Sequence, residues 1–419
     1  MNHPEEYAGK QVVILGLAKS GQAVAKLFHQ LGAVVTVNDR KERKDCPEAD
    51  ELERLGIAVI CGGHPETLIH RDVALIVKNP GIPYHIPPAM KAAELGVEMV
   101  SEVEVAYHLC RVPLIGITGS NGKTTTTTWV GKILERANFH PTVAGNIGTP
   151  LCEAVLKAHD NGWAVAELSS FQLKGTCHFR PRIACILNVC ETHLDYHGSM
   201  EDYIASKAKI LANQTNEDIA VLNWDDPICR KLAGSASARL LPFSMKEPLD
   251  VGVYIRRFPP ETGDAASKEV IVYRDFSGRE HTVLPVKELG IPGRHNVENA
   301  LAATAVCAAA GADVRLIAEV LRDFKGVEHR LEYVQTVRGV RFYNDSKATN
   351  PLATLKALDA FEQPVILIAG GLDRGLNFNV LEPALKEKVK VLVTLGETSR
   401  KLQQTAERAG IAGIAVDPL

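Results

Sequence analysis

The residues with the clearest chemical potential form a glycine-containing segment at positions 117–125, between an apolar run and a helical pattern. In such a loop, successive backbone N–H groups and the N-terminus of the next helix bind phosphate oxygens. The ammonium of Lys123 can neutralise the β- and γ-phosphates of a nucleotide, and the hydroxyl of Thr124 can bind Mg²⁺. The strict GxxxxGK[ST] pattern is not met, because Ile117 occupies the first glycine position and Gly119 lies inside the loop.

The alternative interpretation of this segment is an ordinary glycine turn with a capping threonine. We favour a nucleoside triphosphate site, because GKTT directly after a buried strand is a specific combination. The predicted phosphate-binding residues are Gly119, Ser120, Asn121, Gly122, Lys123, Thr124, Thr125 and Thr126.

Polar side chains also follow other apolar runs of this part of the chain. Glu167 ends one run, and Asn188 and His193 follow the next. Ligands of open α/β sheets lie outside the carboxyl ends of the strands. Mg²⁺ prefers oxygen ligands, and Mn²⁺ also accepts the nitrogen of a histidine. Taken singly, the glutamate could be a solvated charge and the histidine a hydrogen-bonded structural residue.

A second glycine-punctuated turn lies near the N-terminus, at residues 16–21, and is similar to a dinucleotide-binding fingerprint. Ala18 replaces the middle glycine, which normally lets the backbone approach a pyrophosphate. Asp39 ends the following strand run and could hydrogen-bond a nucleotide. The candidates are Gly16, Leu17, Ala18, Lys19, Ser20, Gly21 and Asp39. Packing of a strand on a helix is an equally good explanation of this turn.

The elements that must position these residues predict an α/β protein with three domains. A strand–turn–helix–strand unit, with its helix at 22–31, opens residues 1–111 and predicts a Rossmann-like domain. Alternating strands and helices in residues 112–329 predict a P-loop-type, mostly parallel sheet, with a small antiparallel patch at 238–289. The elements expected there include a helix at 126–137, strands at 163–167, 183–189 and 219–222, and a buried Ala-rich helix at 299–310. Strand runs in residues 330–419 predict a second Rossmann-like domain. We expect that domain to be incomplete, since no helix follows its last strand run at 411–416.

Composition narrows the function classes. The 47 basic and 50 acidic residues nearly cancel, which excludes a generic polyanion or nucleic-acid binder. No apolar run approaches the roughly 18–20 residues that span a bilayer, and the polar N-terminus is not a signal peptide. The nine cysteines form no CxxC pair and are expected to be reduced core residues of a cytosolic protein. We expect no membrane partner.

Several segments together resemble the Mur ligase family, and they occur in the expected order along nearly the whole chain. They are TGSNGKTT (118–125), ELSSFQL (167–173), HLD (193–195) with Ser206-Lys207, GRHN (293–296) with Asn299-Ala300, HR (329–330) and NDSKATN (344–350). The resemblance implies an ATP-dependent ligase of cytoplasmic peptidoglycan precursor synthesis. It would join D-glutamate to UDP-N-acetylmuramoyl-L-alanine through an acyl phosphate, as a monomer.

The resemblance also assigns roles to individual residues. It implies that the N-terminal turn and Asp39 bind the UDP part of the substrate rather than NAD, and that Asn146 contacts the muramoyl part. It implies metal binding by Thr124, Glu167, His193 and Lys207, with Lys207 carbamylated. The local sequence alone would make Lys207 an exposed helix lysine. It further implies ATP contacts by Asn296, Asn299, Arg330 and Asp345, and substrate contacts by Lys347 and Thr349.

The family places ATP in a cleft that closes when the third domain swings in, which excludes water from a hydrolysable intermediate. A Ser-Pro-Ala-type segment and a later phenylalanine that help to bind D-glutamate in the family are not found in this sequence.

Other functions account for less of the chain. A family relative that adds a different amino acid fits the same segments. Folylpolyglutamate synthases lack the N-terminal UDP domain, so residues 11–111 argue against that activity. A nicotinamide dehydrogenase would not explain the phosphate-binding pattern of residues 119–125. A GTPase would need an Asn/Thr-Lys-x-Asp segment, which the sequence lacks. A non-catalytic nucleotide-binding module remains open.

Overall fold

Most of the chain consists of parallel strands joined by helices, as the sequence pattern predicts. The computed structural model describes residues 1–192, 194–259, 268–361, 363–373 and 375–416. His193, a predicted metal ligand, lies outside the described residues. No helix within these ranges is long and apolar enough to cross a bilayer. The chain divides into two compact units, Met1–Lys287 with Glu298–Val320 and Glu288–Val297 with Leu321–Leu419.

The first unit begins with a five-stranded sheet. Its strands are β1 (Gln11–Leu15), β2 (Val34–Asp39), β3 (Ala58–Cys61), β4 (Val73–Lys78) and β5 (Met99–Val100). The helices are α1 (Lys19–Gln30), α2 (Ala49–Arg54), α3 (Pro87–Leu95) and α4 (Glu102–Leu109). All pairings are parallel, in the order β3-β2-β1-β4-β5. The central strands β1 and β4 are apolar and largely buried, because helices cover both faces of a parallel sheet.

A six-stranded parallel sheet follows. Its strands are β6 (Leu114–Thr118), β7 (Pro141–Gly145), β8 (Trp163–Glu167), β9 (Ile183–Ile186), β10 (Ile219–Leu222) and β11 (Arg239–Leu240). The helices are α5 (Lys123–Arg136), α6 (Leu151–Val155), α7 (Ser170–Lys174), α8 (Leu194–His197), α9 (Met200–Ala208) and α10 (Pro227–Ala233). The order β11-β10-β9-β6-β8-β7 places β6 at the centre, so the connections after β8 and β9 flank the one after β6.

The predicted antiparallel patch is a small third sheet. It contains β12 (Phe243–Ser244), β13 (Gly252–Phe258), β14 (Lys268–Arg274) and β15 (Glu280–Pro285), and the last three pair antiparallel. Two helices follow in the chain, α11 (Arg294–Ala309) and α12 (Val314–Asp323). Cys307 of α11 is fully buried, as the Ala-rich sequence of this helix predicts.

The second unit contains a hairpin and a three-stranded parallel sheet. Its elements are β16 (Glu332–Val337), β17 (Val340–Asn344), α13 (Pro351–Asp359), β18 (Val365–Gly370), α14 (Glu382–Lys388), β19 (Val389–Leu395), α15 (Ser399–Ala409) and β20 (Ala412–Ala415). The hairpin joins β16 to β17, and the sheet has the order β18-β19-β20. Strand β16 was not predicted, because charged and polar residues interrupt its apolar positions and most of it is exposed.

One helix begins earlier than predicted. The helix expected at residues 126–137 starts at Lys123. The cause is Gly122, whose φ of 83° is accessible to glycine and lets the chain turn directly into the helix. Lys123, Thr124 and Thr125 therefore lie in the first turn of α5, where backbone N–H groups have no partner within the helix. The phosphate-binding segment is thus part loop and part helix N-terminus.

The prediction of core cysteines is correct for five positions and wrong for two. All nine cysteines are free; five of them are buried (Cys46, Cys152, Cys185, Cys229 and Cys307), and Cys61 and Cys110 are half-buried. Cys177 and Cys190 are exposed, because both lie in connections rather than in strands or helices.

A buried carboxylate in α4 stabilises a connection that precedes β9. Glu104 is fully buried, and its two oxygens accept the backbone N–H groups of Cys177 (2.9 Å), His178 (2.8 Å) and Phe179 (3.1 Å). Three donors of one tight turn thus share a single side chain as their partner.

We expect Glu104→Ala to lower the free energy of unfolding by about 3 kcal/mol, because backbone donors lose their acceptor. Urea denaturation measures this. The control is Glu94→Ala on an exposed position of α3, expected to change stability by less than about 0.5 kcal/mol. Equal losses for the two variants would contradict the assignment.

Candidate active site

Polar groups from the neighbouring connection hold the loop between β6 and α5. The backbone N–H of Asn121 donates to Oδ1 of Asn188 (2.9 Å), which follows β9. The Ser120 hydroxyl accepts from the backbone N–H of Cys190 (2.9 Å) and contacts the hydroxyl of Tyr203 at 2.8 Å. The backbone of the loop is therefore fixed by contacts from two other segments.

The predicted cation of the loop lies over its backbone. Nζ of Lys123 donates to the carbonyl oxygens of Gly119 (2.9 Å) and Ser120 (3.2 Å). Asn299 of α11 packs against the other end of the loop, so closely that a Cβ at Gly122 would collide with its amide oxygen. The loop and Asn299, which the sequence proposed as parts of one ATP site, are thus neighbours.

Glu167 lies beside the loop because β8 pairs with β6. Its register partner across the two strands is Ile117, the next-to-last residue of β6 before the loop. Glu167 is 1% exposed, and its Oε1 accepts from Nδ2 of Asn146 at 2.8 Å. Its Oε2 is buried and has no hydrogen-bond partner within the described ranges. Asn146 and Glu167, predicted separately, are therefore in direct contact.

The unpartnered Oε2 of Glu167 has the properties of a metal ligand. A buried carboxylate oxygen without a donor is costly unless a cation compensates it. Mg²⁺ takes oxygen ligands, and Thr124 in the first turn of α5 supplies a hydroxyl next to the loop. The donor set at this edge of the sheet therefore suits a hard divalent cation.

Lys207 is not the exposed helix lysine that the local sequence suggests. It is 1% exposed, and its Nζ donates to the carbonyl of Gly119 (2.9 Å) and to Oγ1 of Thr118 (3.4 Å). Burial and the neighbouring ammonium of Lys123 hold the pKa of Lys207 well below its usual value. The amine is therefore shifted towards its neutral form.

The N-terminal candidates lie together at the carboxyl ends of β1 and β2. Oδ2 of Asp39 accepts the backbone N–H of Leu17 (2.8 Å), and its Oδ1 accepts that of Lys41 (2.9 Å). Asn79, which follows β4, packs on the turn, and a Cβ at Gly16 would lie 2.7 Å from its Nδ2. The turn is thus built from three adjacent strand ends. The α1 helix begins at Lys19 rather than at the predicted residue 22, so Lys19, Ser20 and Gly21 belong to its first turn.

In the second unit, the candidates lie around the hairpin of β16 and β17. Oδ1 of Asp345 accepts the backbone N–H of Leu331 at 3.0 Å, and burial raises the pKa of Asp345. The backbone N–H of Lys347 donates to the carbonyl of His329 at 3.1 Å, one residue before Arg330. Thr349 lies in the turn that follows Lys347, and Asn296, at the start of α11, donates to the carbonyl of Pro292 at 2.6 Å.

Sequence reasoning missed two side chains that contact these groups. Tyr203, which contacts Ser120, lies four residues before Lys207 and thus on the same face of α9. His197 contacts both Ser170 and Asp202. The helical spacing could have identified Tyr203, whereas nothing in the local pattern links His197 to the other two residues.

Comparisons with known families match most of the chain. A model of the Mur ligase middle domain matches residues 117–307. A model of the N-terminal domain of MurD-like Mur ligases matches residues 10–101, and a model of the Mur ligase glutamate ligase domain matches residues 329–417.

Curated relatives are similar over nearly the full chain. A UDP-N-acetylmuramoylalanine–D-glutamate ligase of Geobacillus sp. (strain WCH70) is 50% identical over 409 residues, which are 97% of this chain and 87% of the relative. A ligase of the same name from Bacillus mycoides (strain KBAB4) is 46% identical over 415 residues, covering 99% of this chain and 88% of the relative.

Solved structures share the fold at lower identity. The UDP-N-acetylmuramate–alanine ligase MurC of Thermotoga maritima has a TM-score of 0.60 at 21% identity, covering 97% of this chain and 90% of that one. MurF of Acinetobacter baumannii has a TM-score of 0.58 at 18% identity, covering 99% and 84%.

The Mur ligase family uses ATP and Mg²⁺, in agreement with a phosphate-binding loop beside an unpartnered carboxylate oxygen. Three domain matches and relatives about half identical over 97% of the sequence leave one conclusion: this chain belongs to the Mur ligase family of enzymes.

Proposed function

We propose that this chain uses ATP to join D-glutamate to UDP-N-acetylmuramoyl-L-alanine, in the cytoplasmic synthesis of a peptidoglycan precursor. The relatives of about 50% identity carry the name of this activity. The observation that carries the proposal is the meeting of three groups at one edge of the six-stranded sheet. These are the phosphate loop, the free Oε2 of Glu167 and the buried amine of Lys207.

The chemistry needs a way to activate a carboxylate. A carboxylate resists attack by an amine, because its charge repels the nucleophile and its oxygen is a poor leaving group. Transfer of the γ-phosphoryl group of ATP to the carboxylate removes both obstacles and gives an acyl phosphate and ADP. The D-glutamate amine then attacks the carbonyl carbon, and the amide forms as the nitrogen loses a proton to solvent and inorganic phosphate leaves.

Residues of the central sheet would stabilise the phosphoryl transfer. The ammonium of Lys123 and the N–H groups at the start of α5 would stabilise negative charge on the transferring group. Glu167, His193 and Thr124 would hold Mg²⁺, for which Mn²⁺ could substitute, together with modified Lys207. The bound cation would neutralise charge on the phosphate and carboxylate oxygens.

Lys207 would act as a carbamate. A neutral amine reacts with CO₂ by forming an N–C bond and releasing one proton to solvent. The burial of Lys207 beside Lys123 favours the neutral amine, since two ammonium groups would repel each other there. The product carries anionic oxygens that can pair with Lys123 and bind a cation, whereas a free ammonium would repel it.

The remaining candidates would bind the ends of the substrates. Residues 16–21 with Asp39 would hold the UDP part, and Asn146 the muramoyl part. Asn296, Asn299, Arg330 and Asp345 would contact ATP, and Lys347 and Thr349 the substrate. We propose domains at residues 1–111, 112–329 and 330–419, acting within a monomer.

Lys123→Ala should reduce phosphate release about 10³-fold, because the transferring group loses its cation. The assay supplies UDP-N-acetylmuramoyl-L-alanine, D-glutamate, ATP and Mg²⁺. The matched control, Lys132→Ala, removes an exposed lysine of the same helix and should retain activity. Turnover of Lys123→Ala close to wild type would remove the phosphate-loop assignment. Release that depends on another amino acid instead of D-glutamate would contradict the proposed substrate.

Lys207→Ala should lose activity that short-chain carboxylic acids partly restore, because these acids can replace the carbamate oxygens. The wild-type protein in ¹³C-labelled bicarbonate should show a carbamate resonance by NMR, and Lys207→Ala should lack it. Full activity of the variant, or the same resonance in both proteins, would contradict the carbamate role.

A further inference from the structure

Three side chains that have no part in the proposed chemistry form a hydrogen-bonded chain beside the site, with the serine and the histidine buried and the aspartate partly exposed. Oγ of Ser170 lies 3.0 Å from Nε2 of His197, and Nδ1 of His197 lies 2.6 Å from Oδ2 of Asp202. Ser170 is 2% exposed and His197 is 6% exposed. Each residue belongs to a different helix: Ser170 begins α7, His197 ends α8 and Asp202 is in α9.

We propose that Ser170, His197 and Asp202 form a positioning chain that fixes Lys207 relative to Glu167. The order serine–histidine–aspartate is that of a nucleophilic triad, but the burial of Ser170 keeps its hydroxyl away from a substrate. A carboxylate can only accept, so Nδ1–H of His197 donates to Asp202, and Nε2 of His197 pairs with the Ser170 hydroxyl.

Ser170, at one end of the hydrogen-bonded chain, is connected to Glu167 by a short and well-ordered segment. The carbonyl of Leu168, the next residue, accepts from Oγ1 of Thr118 at 2.7 Å. Ser169 then caps α7 through a reciprocal arrangement with Gln172, so little freedom remains between the end of β8 and Ser170. The position of Ser170 is therefore coupled to that of the strand end that carries Glu167.

Asp202, at the other end of the hydrogen-bonded chain, lies in the same helix as Lys207. Asp202 precedes Lys207 by five residues in α9, a rise of about 7.5 Å. The Asp202 carboxylate also accepts from Lys174 at 2.6 Å, but this pair is partly exposed and contributes less to rigidity. His197 is packed between the ring of Phe171, at 5.3 Å, and that of Tyr203, at 5.2 Å, so the imidazole can hardly rotate.

The effect of these three residues on the chemistry follows from how accurately metal ligands must be positioned. Metal ligands and reacting groups must be held within about 0.5 Å of their productive geometry. Loss of a residue that orients a ligand typically costs about 10–100-fold in metal affinity or activity. The Ser170–His197–Asp202 hydrogen-bonded chain would therefore affect cation binding and turnover. It would not affect binding of the UDP part, which is proposed to lie some distance away, at β1 and β2.

The test uses Ser170→Ala, which removes one link and leaves Asp202 and Lys174 in place. The control is Thr176→Ala, which removes another buried hydroxyl; among the residues that the structure describes, its one hydrogen-bond partner is the carbonyl of Leu173. We expect Ser170→Ala to weaken Mn²⁺ binding to the protein without substrates about 10-fold, measured by electron paramagnetic resonance. We also expect kcat to fall about 10-fold with little change in KM for the UDP substrate, and Ser170→Thr to restore both.

The thermal midpoint of Ser170→Ala should match that of Thr176→Ala, since both lose one buried hydrogen bond. Mn²⁺ affinity of Ser170→Ala equal to that of Thr176→Ala would overturn the proposal. So would additive effects of Ser170→Ala and Asp202→Asn on Mn²⁺ affinity, because two substitutions in one hydrogen-bonded chain must have non-additive effects.

The kinetic readout rests on the proposed ligase function, whereas Mn²⁺ binding does not. A wild-type protein that binds Mn²⁺ but releases no phosphate would therefore count against the function alone.

Discussion

The structure of the site depends on the burial of Lys207 against the phosphate loop. Its amine donates to the carbonyl of Gly119, which also accepts from Lys123. Two ammonium groups sharing one carbonyl repel each other, and burial removes the water that would screen them. The arrangement becomes favourable when Lys207 is neutral or carries an anionic group. The carbamate proposed for Lys207 would relieve this local electrostatic conflict.

The topology explains why so few elements suffice to assemble this site. The central strand β6 carries the loop, and its two neighbours, β8 and β9, end at the same edge of the sheet. Glu167 comes from one neighbour and Asn188 from the other, and both lie beside the loop without any long connection. Lys207 reaches the same edge from α9, and its amine contacts the loop.

Strands were predicted well from the sequence, because their signal is a short apolar run. Trp163–Glu167 and Ile219–Leu222 have the predicted bounds. The run expected at residues 183–189 stops at Ile186, because apolar residues continue into a connection. The start of α5 was predicted three residues late, because a glycine in the left-handed region can begin a helix without a capping side chain. Positions that depend on tertiary packing could not be predicted: the burial of Lys207 requires α9 to lie on the loop, and the contacts of His197 join three separate helices.

The most direct test of the site is the position of a bound cation in crystals containing Mn²⁺ and a non-hydrolysable ATP analogue. The account predicts an anomalous-scattering peak at about 2.0–2.4 Å from Oε2 of Glu167, with the phosphates of the analogue over the Gly119–Lys123 segment. A peak away from Glu167, or an analogue whose phosphates lie elsewhere in the chain, would contradict it.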